Sequence, residues 1–216
     1  MLEVKLECIR PDMEIHYTTD GSEPTATSPL YEKIVPVKEA LTLKGATFAY
    51  GRQMGKTLIL PVRWNLATAK PVLGTNPTEK LLTNGIRGSL KYSDFEWCSW
   101  ADNDSVSFTI DLLKPEMLNT LTLGCITNNG MAIHKPASVR VEVSDDNSKF
   151  REAVVQSFTS EEIFREGNFI ENLSLKLGGT QARYVRVTAK GPGVCPASHV
   201  RPGQTSRIFF DEVMLE

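Results

Sequence analysis

Two adjacent carboxylates, Asp211 and Glu212, are the residues of this chain whose types and spacing most directly suggest chemistry. A neighbouring pair of carboxylates can act as a general acid and base, or it can hold a hard cation. Both lie in the candidate closing strand 208–215, in which side chains alternate between two faces. The two faces are Phe209, Asp211, Val213 and Leu215 on one side, and Ile208, Phe210, Glu212 and Met214 on the other. Whichever face is buried, one carboxylate needs a partner there.

A long loop, residues 190–207, precedes this strand and carries His199, Arg201 and Arg207 together with three prolines. A loop of this length between strands is more often functional than structural filler. An earlier aromatic and acidic loop, 95–104, adds Trp97 and Trp100. Planar hydrogen-bonding groups and flat aromatic rings suit a site for a small polar ligand. The alternative is that a tryptophan packs on the core and that His199 braces its own loop.

The composition restricts the partners of the chain, which has 216 residues and a net charge of −2. Because phosphate binders normally show a basic excess, this balance predicts neither a nucleic acid nor an anionic membrane as partner. No stretch approaches the roughly 18 apolar residues of a membrane-spanning helix. The four cysteines, Cys8, Cys98, Cys125 and Cys195, have no spacing to each other or to histidine that suggests zinc. We therefore expect buried free thiols, with a disulfide as the alternative.

The elements that must position these residues are strands, since apolar residues alternate with polar ones along most of the chain. Short alternating runs fill residues 1–66, and Pro61 indicates that the last of them is an edge strand. Residues 67–73 lack alternation and are predicted to be a linker to a second domain, 74–216, in which Gly178-Gly179 is read as a turn. Neither 76–89 nor 95–104 is periodic enough for a helix. A capping box formed by Thr159 and Glu162 predicts a helix of one or two turns.

A first resemblance lies in Ile15-His-Tyr-Thr-Thr-Asp-Gly-Ser-Glu-Pro-Thr25, in Ser28-Pro-Leu-Tyr31 and in Thr42-Leu-Lys-Gly-Ala46. These segments resemble the chitobiase/β-hexosaminidase C-terminal domain, a small immunoglobulin-like module. The resemblance covers most of residues 1–66.

A second resemblance covers residues 74–216 and lies in Leu82–Ser89, Val106–Leu112, Lys135–Phe150, Ala182–Val187 and Phe210–Val213. These segments are similar to the coagulation factor 5/8 type C (discoidin, galactose-binding-like) domain, whose fold is shared with family 32 carbohydrate-binding modules. The predicted fold class is therefore all-β, with a small immunoglobulin-like sandwich followed by a discoidin-type jelly-roll β-sandwich.

Together the resemblances imply a parent enzyme, a bacterial family-twenty glycoside hydrolase of the β-N-acetylhexosaminidase type, of which this chain is a C-terminal fragment. Its partner in the same chain is then a catalytic barrel, and its compartment is periplasmic or extracellular. Catalysis in that family resides in an Asp-Glu pair within a (β/α)₈ barrel, which needs about 250 residues. Because Asp211-Glu212 lies in a β-sandwich instead, the chain itself is expected to have no catalytic residues and to be no enzyme.

The second resemblance also implies ligands. Discoidin domains of the carbohydrate-binding kind hold a structural calcium ion through the first loop and a glutamate near the C-terminus. Carried over, its ligands here are Asn84, Ser89 and Glu212 with backbone carbonyls of 82–87; the alternative is that Glu212 accepts hydrogen bonds from loop amides. The implied carbohydrate-binding residues are Trp97, Trp100, His199, Arg201 and Arg207, for N-acetylhexosamine- or galactose-type glycans.

Three functions remain open at the level of sequence. The first is a non-catalytic accessory region that binds glycans and positions the catalytic barrel. The second is a purely structural spacer that packs on the barrel without sugar affinity, and the third is an independent hydrolase.

Overall fold

The computed structural model describes residues 2–100 and 105–216, so the acidic end of the loop predicted at 95–104 lies outside the described residues. The chain forms two compact units, Met1–Trp64 and Asn65–Glu216. Among the described residues, no helix has the length and apolar character that spanning a membrane requires. Strands dominate both units, which confirms the all-β prediction.

The strands follow one another with few helices between them. In chain order they are β1 (Leu2–Val4), β2 (Glu14–Thr18), β3 (Val35–Val37), β4 (Leu41–Ala49), β5 (Arg52–Gln53), β6 (Leu58–Val62), β7 (Val72–Leu73), β8 (Cys98–Trp100), β9 (Ser105–Asn128), β10 (Ser138–Ser144), β11 (Arg151–Ser157), β12 (Asn168–Lys190) and β13 (Ile208–Leu215). One α-helix, α1 (Ser160–Ile163), and two 3-10 helices, Glu79–Thr83 and Asn129–Met131, complete the described elements.

The first unit has a central strand, β4, that pairs with β2 on one side and with β5 and β6 on the other. A separate pair, β1 and β3, supplies the second layer. Apolar side chains of both layers form one core, Val4, Leu6, Val35, Val37, Leu43 and Val62. Among the described residues β6 pairs only with β4, which confirms the edge position that Pro61 predicts, because proline cannot donate to a further strand.

The second unit is built on one sheet in the order β11-β10-β12-β9-β13-β8, with β7 added beside β9. Its two longest strands, β9 and β12, pair along nearly their whole length. The register slips between Lys176 and Thr180, so Gly178-Gly179 forms a bulge inside β12, and the predicted turn is wrong. Both glycines have positive φ, which a bulge requires as much as a turn does.

Residues 67–73, predicted to be a linker, belong to the second unit. Ala67 is fully buried in its core, and β7 pairs with β9 through Val72 and Leu73. The N–H of Leu66 donates to the carbonyl of Leu215 at 3.0 Å, which ties this segment to the closing strand. Strand pairing with β9 is a long-range contact, and local alternation over seven residues cannot reveal it.

A β-bulge interrupts the closing strand at the two carboxylates. Phe210 pairs with Cys125 and Val213 pairs with Leu123. Between these two pairs β13 advances by three residues while β9 advances by two. The alternation therefore changes phase, and Ile208 and Phe210 share the core with Val213 and Leu215. The predicted grouping of Phe209 with Val213 and Leu215 is wrong for this reason. The bulge leaves Asp211 and Glu212 both buried, each with 0% exposure.

The short elements agree in part with the sequence. The capping box of α1 is confirmed, because Thr159 accepts from the N–H of Glu162 and the Glu162 carboxylate accepts from the N–H of Thr159. The 3-10 helix Glu79–Thr83 contradicts the prediction that 76–89 contains no helix. All four cysteines carry free thiols, as expected; Cys98, Cys125 and Cys195 are buried, while Cys8 is partly exposed.

Candidate functional site

The first loop of the second unit, residues 84–89, is held by the bulge in β13. Oδ2 of Asp211 accepts from Nε of Arg87 at 2.6 Å and from the N–H of Gly88 at 2.9 Å. Oε2 of Glu212 accepts from the N–H of Gly85 at 3.0 Å. Both carboxylates therefore anchor this loop. Hydrogen bonding to loop amides is the alternative that the sequence left open for Glu212.

Glu212 retains an unsatisfied oxygen. Its Oε1 has no hydrogen bond of good geometry among the described residues, and neither has the Nδ2 of Asn65. The Asn65 side chain nevertheless lies close enough to oppose the rise in the pKa of Glu212. Burial raises the pKa of the Glu212 carboxyl from 4.5 to about 9; the Gly85 N–H opposes the rise, the Asp211 charge adds to it, and the Arg87 guanidinium opposes it. Without a bound cation, this carboxyl is protonated at neutral pH.

The Glu212→Gln variant should therefore reduce the pH dependence of stability. A carboxyl whose pKa is raised by folding stabilises the native state below its unfolded pKa of 4.5, and this contribution is lost as pH rises toward about 9. Over that range the wild type should lose up to about 1.4 kcal/mol per pH unit through this group, and the variant should not. Urea unfolding in chelator at pH 5 and pH 8 measures the difference. If the free energy of unfolding changed by the same amount between pH 5 and pH 8 in both proteins, Glu212 would ionise normally in the folded state.

The predicted calcium ligands Asn84, Ser89 and Glu212 lie on the first loop or bond to it. Asn84 accepts from the N–H of Ile86 through Oδ1 and donates through Nδ2 to Glu96 at 2.8 Å. Ser89 is exposed, and its hydroxyl accepts from the N–H of Lys91. Burial raises the pKa of the Glu96 carboxyl as well; the hydrogen bond from Asn84 opposes the rise, and the charges of Asp94 and Asp211 add to it. Glu212, Glu96 and Asn84 carry oxygen donors of the kind that calcium prefers, and the Ser89 hydroxyl accepts from Lys91.

Both predicted tryptophans are buried. Trp97 is 6% exposed, packs with Ile126, Ile133 and Phe209, and donates from Nε1 to the carbonyl of Ser89 at 3.0 Å. Trp100 is 8% exposed and stacks on Phe108 with 6.2 Å between ring centroids. The structure thus places in the core the rings that the sequence offered as stacking surfaces for a sugar.

The three polar residues of the 190–207 loop converge on one turn, the 3-10 helix Asn129–Met131. His199 lies with Nε2 3.2 Å from Nδ2 of Asn129, and it is itself buried. The exposed Arg201 donates from Nε to the carbonyl of Gly130, and the half-buried Arg207 donates to the carbonyl of Met131 at 3.2 Å. These bonds orient the two arginines. Because each guanidinium has five N–H groups, further N–H donors of each remain available to a ligand.

Aromatic residues that the sequence analysis did not single out complete this end of the unit. The Arg207 guanidinium lies over the ring of Phe209, and Tyr92 packs edge-on against the same ring at 6.3 Å. Phe95, on the loop that carries Tyr92, is 92% exposed. We call Tyr92, Arg201 and Arg207, with the turn Asn129–Met131, the loop-end surface; Phe209 lies beneath it and is buried. The signal for Phe95 was its position in the aromatic loop 95–104, whereas Tyr92 lies just before that loop and had no signal of its own.

Comparison with known proteins places both units. Residues 2–58 match the family model of the chitobiase/beta-hexosaminidase C-terminal domain, and residues 67–200 match that of the F5/8 type C domain. A search of curated proteins found no match.

Several solved structures are similar to this chain at low sequence identity. CpGH89CBM32-6 produced by Clostridium perfringens is 18% identical, with a TM-score of 0.46 over 71% of this chain and 98% of that one. A fucose binding module of Streptococcus pneumoniae is 17% identical, with a TM-score of 0.43 over 71% of this chain and 97% of that one. The C-terminal domain of a chitobiase from Bacteroides fragilis is 16% identical, with a TM-score of 0.38 over 63% and 78%.

The two family matches, together with the strand content of both units, confirm the predicted fold class, an immunoglobulin-like sandwich followed by a discoidin-type β-sandwich, and the order of the two modules. The chain belongs to the F5/8 type C domain family, and that domain follows a chitobiase/beta-hexosaminidase C-terminal domain.

Proposed function

We propose that the chain is a non-catalytic glycan-binding region and that the loop-end surface of its second unit contacts the sugar. The observation that carries the proposal is the convergence of Arg201 and Arg207 on one turn beside an aromatic group. Guanidinium groups donate to several hydroxyl oxygens at once, and an aromatic ring packs on the apolar face of a pyranose. Membership of the F5/8 type C family supports the same function.

The proposal assigns no catalysis to this chain, because Asp211 and Glu212 are buried and bonded to the first loop. We further propose that it serves a glycoside hydrolase of the β-N-acetylhexosaminidase type, outside the cytoplasm, and that its ligands are N-acetylhexosamine- or galactose-type glycans. The chitobiase C-terminal domain at residues 2–58 supports this parentage.

Replacing Arg201 or Arg207 with alanine should weaken glycan binding about tenfold, since a hydrogen bond from a charged donor contributes roughly 1.5–3 kcal/mol. A glycan array identifies the ligand, and titration calorimetry with that glycan then compares the variants. Arg140→Ala is the control, because Arg140 is an exposed residue of β10 whose partner is Glu152. Equal loss in all three variants would exclude a specific role for the loop-end surface.

The second candidate is a structural spacer without sugar affinity, which the burial of Trp97 and Trp100 favours. A spacer would bind no glycan on the array, while the proposed function requires at least one that is retained.

We also propose that the first loop binds one structural calcium ion near Glu212, with Asn84 and Glu96 as further oxygen donors. The unsatisfied Oε1 of Glu212 supports this assignment, since a divalent cation would compensate the buried charge. Calcium added to chelator-treated protein at 100 times its dissociation constant should stabilise the folded chain by about 2.7 kcal/mol. Thermal unfolding should show the increase in wild type and not in Glu212→Gln. An unchanged melting temperature in wild type would contradict the calcium assignment and leave the glycan proposal standing.

A further inference from the structure

Two histidines and one cysteine come together beneath the 190–207 loop, although they are far apart in sequence. One ring nitrogen from each of His134 and His199 and the Sγ of Cys195 all lie within 4.8 Å of one another. All three residues are buried. The two imidazole rings pack edge to face with 5.0 Å between centroids, and Phe164 covers them from one side.

His134 is the least satisfied polar side chain of this group. It is 0% exposed, and neither of its ring nitrogens has a hydrogen bond of good geometry with a described residue. The backbone of Ile163 lies close enough to raise the pKa of the ring slightly, which leaves at least one nitrogen without a partner. A buried imidazole without a partner is costly, because its desolvation is not compensated. Burial, with a smaller contribution from His199, lowers the pKa of His134 to about 4, so the ring is neutral and keeps a free lone pair.

Backbone hydrogen bonds hold the three residues in place. The loop folds into a small hairpin in which the N–H of Cys195 donates to Gln204 and the N–H of Gly203 donates to Cys195. The end of that hairpin pairs with the segment after the turn, since the N–H of His134 donates to the carbonyl of Arg207 at 3.1 Å. The cluster is therefore formed by paired backbone, and each side chain comes from a different part of it.

We propose that His134, Cys195 and His199 bind one divalent transition metal ion, with zinc as the expected occupant. Imidazole nitrogen and thiolate sulfur are the ligands that zinc and cobalt prefer, whereas calcium and magnesium require oxygen. Three protein ligands leave a fourth position of a tetrahedral site for a water molecule. The thiol proton of Cys195 is released to solvent as the sulfur–metal bond forms.

Metal binding requires a small contraction of the cluster. With bonds of about 2.0–2.3 Å, ligand atoms of a tetrahedral zinc site lie roughly 3.3–3.8 Å apart, so the widest pair has to approach by about 1 Å. His199 also has to give up one contact, because its Nδ1 accepts from the N–H of Arg201 at 3.0 Å and its Nε2 lies beside Asn129. The Sγ of Cys195 has a weak hydrogen-bond contact with the hydroxyl of Ser206, at 3.4 Å. The unsatisfied His134 gains most from the ion.

Zinc and cobalt titrations of chelator-treated protein in excess calcium test the proposal. We expect one zinc per chain by equilibrium dialysis and elemental analysis, and a thiolate-to-metal charge-transfer band with cobalt. Cys195→Ser should remove that band and weaken zinc binding by at least about tenfold. The matched control is Cys8→Ser, which removes a partly exposed thiol of the other unit and should change neither result.

Two outcomes would overturn the proposal. One is the absence of a cobalt–thiolate band in wild type, which needs no variant and is independent of how well Cys195→Ser folds. The other is equal zinc affinity in wild type and Cys195→Ser, or a loss of the band in Cys8→Ser. Circular dichroism of each variant verifies that it is folded, and His134→Phe, which keeps the volume of the ring beside Phe164, should also weaken zinc binding.

Discussion

Gly124→Ala is expected to destabilise the second unit by about 3 kcal/mol. A Cβ atom at this position in β9 would lie closer than 3.0 Å to Oδ1 of Asp211 and to Nη2 of Arg87. These atoms belong to a buried ion pair that anchors the first loop, so they cannot move aside without losing their hydrogen bonds. The methyl group therefore has to displace either the pair or the strand.

Urea unfolding followed by tryptophan fluorescence measures this effect, because Trp97 and Trp100 are buried in the second unit. Gly130→Ala is the matched control, since the nearest atom to its added Cβ is Oδ1 of Asn128 at 3.4 Å. The Gly130→Ala variant should lower the free energy of unfolding by less than about 1 kcal/mol. If the two variants lost similar amounts of unfolding free energy, the β9 backbone would be able to shift and accommodate the methyl group at Gly124.

Asp211→Asn should also cost about 3 kcal/mol, because it leaves the Arg87 charge without its partner. The side chains of Asp211 and Arg87 are 0% and 19% exposed, so solvent screens the pair weakly. Every group bonded to this carboxylate is a donor, namely Nε of Arg87 and the N–H groups of Gly88 and Glu212. The amide introduces an N–H₂ group that must face one of them.

Asp111→Asn is the control for the same chemical change in a more exposed pair. Asp111 accepts from Nε and Nη2 of Arg183 at 2.8 and 2.9 Å, and the Arg183 side chain is 37% exposed. An ion pair of this kind contributes about 1 kcal/mol or less. If both variants cost the same, burial does not strengthen the Asp211 pair. The double variant Gly124→Ala, Asp211→Asn should cost less than the sum of its parts, since both changes break one cluster.

The short helix illustrates what local sequence can predict. The capping box of Thr159 and Glu162 involves residues three apart, so its hydrogen bonds could be predicted from spacing alone. The edge position of Pro61 follows in the same way from the missing N–H. By contrast, the continuity of β9 and β12 depends on their pairing with each other, and Gly178-Gly179 has the same local signature in a bulge as in a turn.

The sequence predicted which residues belong to the candidate site but not how they come together. The sequence identified Arg201, Arg207 and His199, but their convergence on Asn129–Met131 requires the pairing of the 190–207 hairpin with the segment that follows this turn. His134 carries no local signal, and Cys195 with His199 four residues later is a weak one. The sequence prediction that the cysteines lack metal-binding spacing was limited to neighbours along the chain, whereas the third ligand comes from 61 residues earlier.

The carboxylate pair Asp211-Glu212 shows what the sequence determines and what only the tertiary structure decides. The sequence by itself determined that strands dominate, which modules follow one another, and that at least one of these carboxylates needs a partner. Only the tertiary structure decided that both are buried, because a bulge set by pairing with β9 changes the phase of the strand and directs both toward the first loop. Alternation depends on neighbouring residues, but a bulge depends on a partner strand about 90 residues away in the chain.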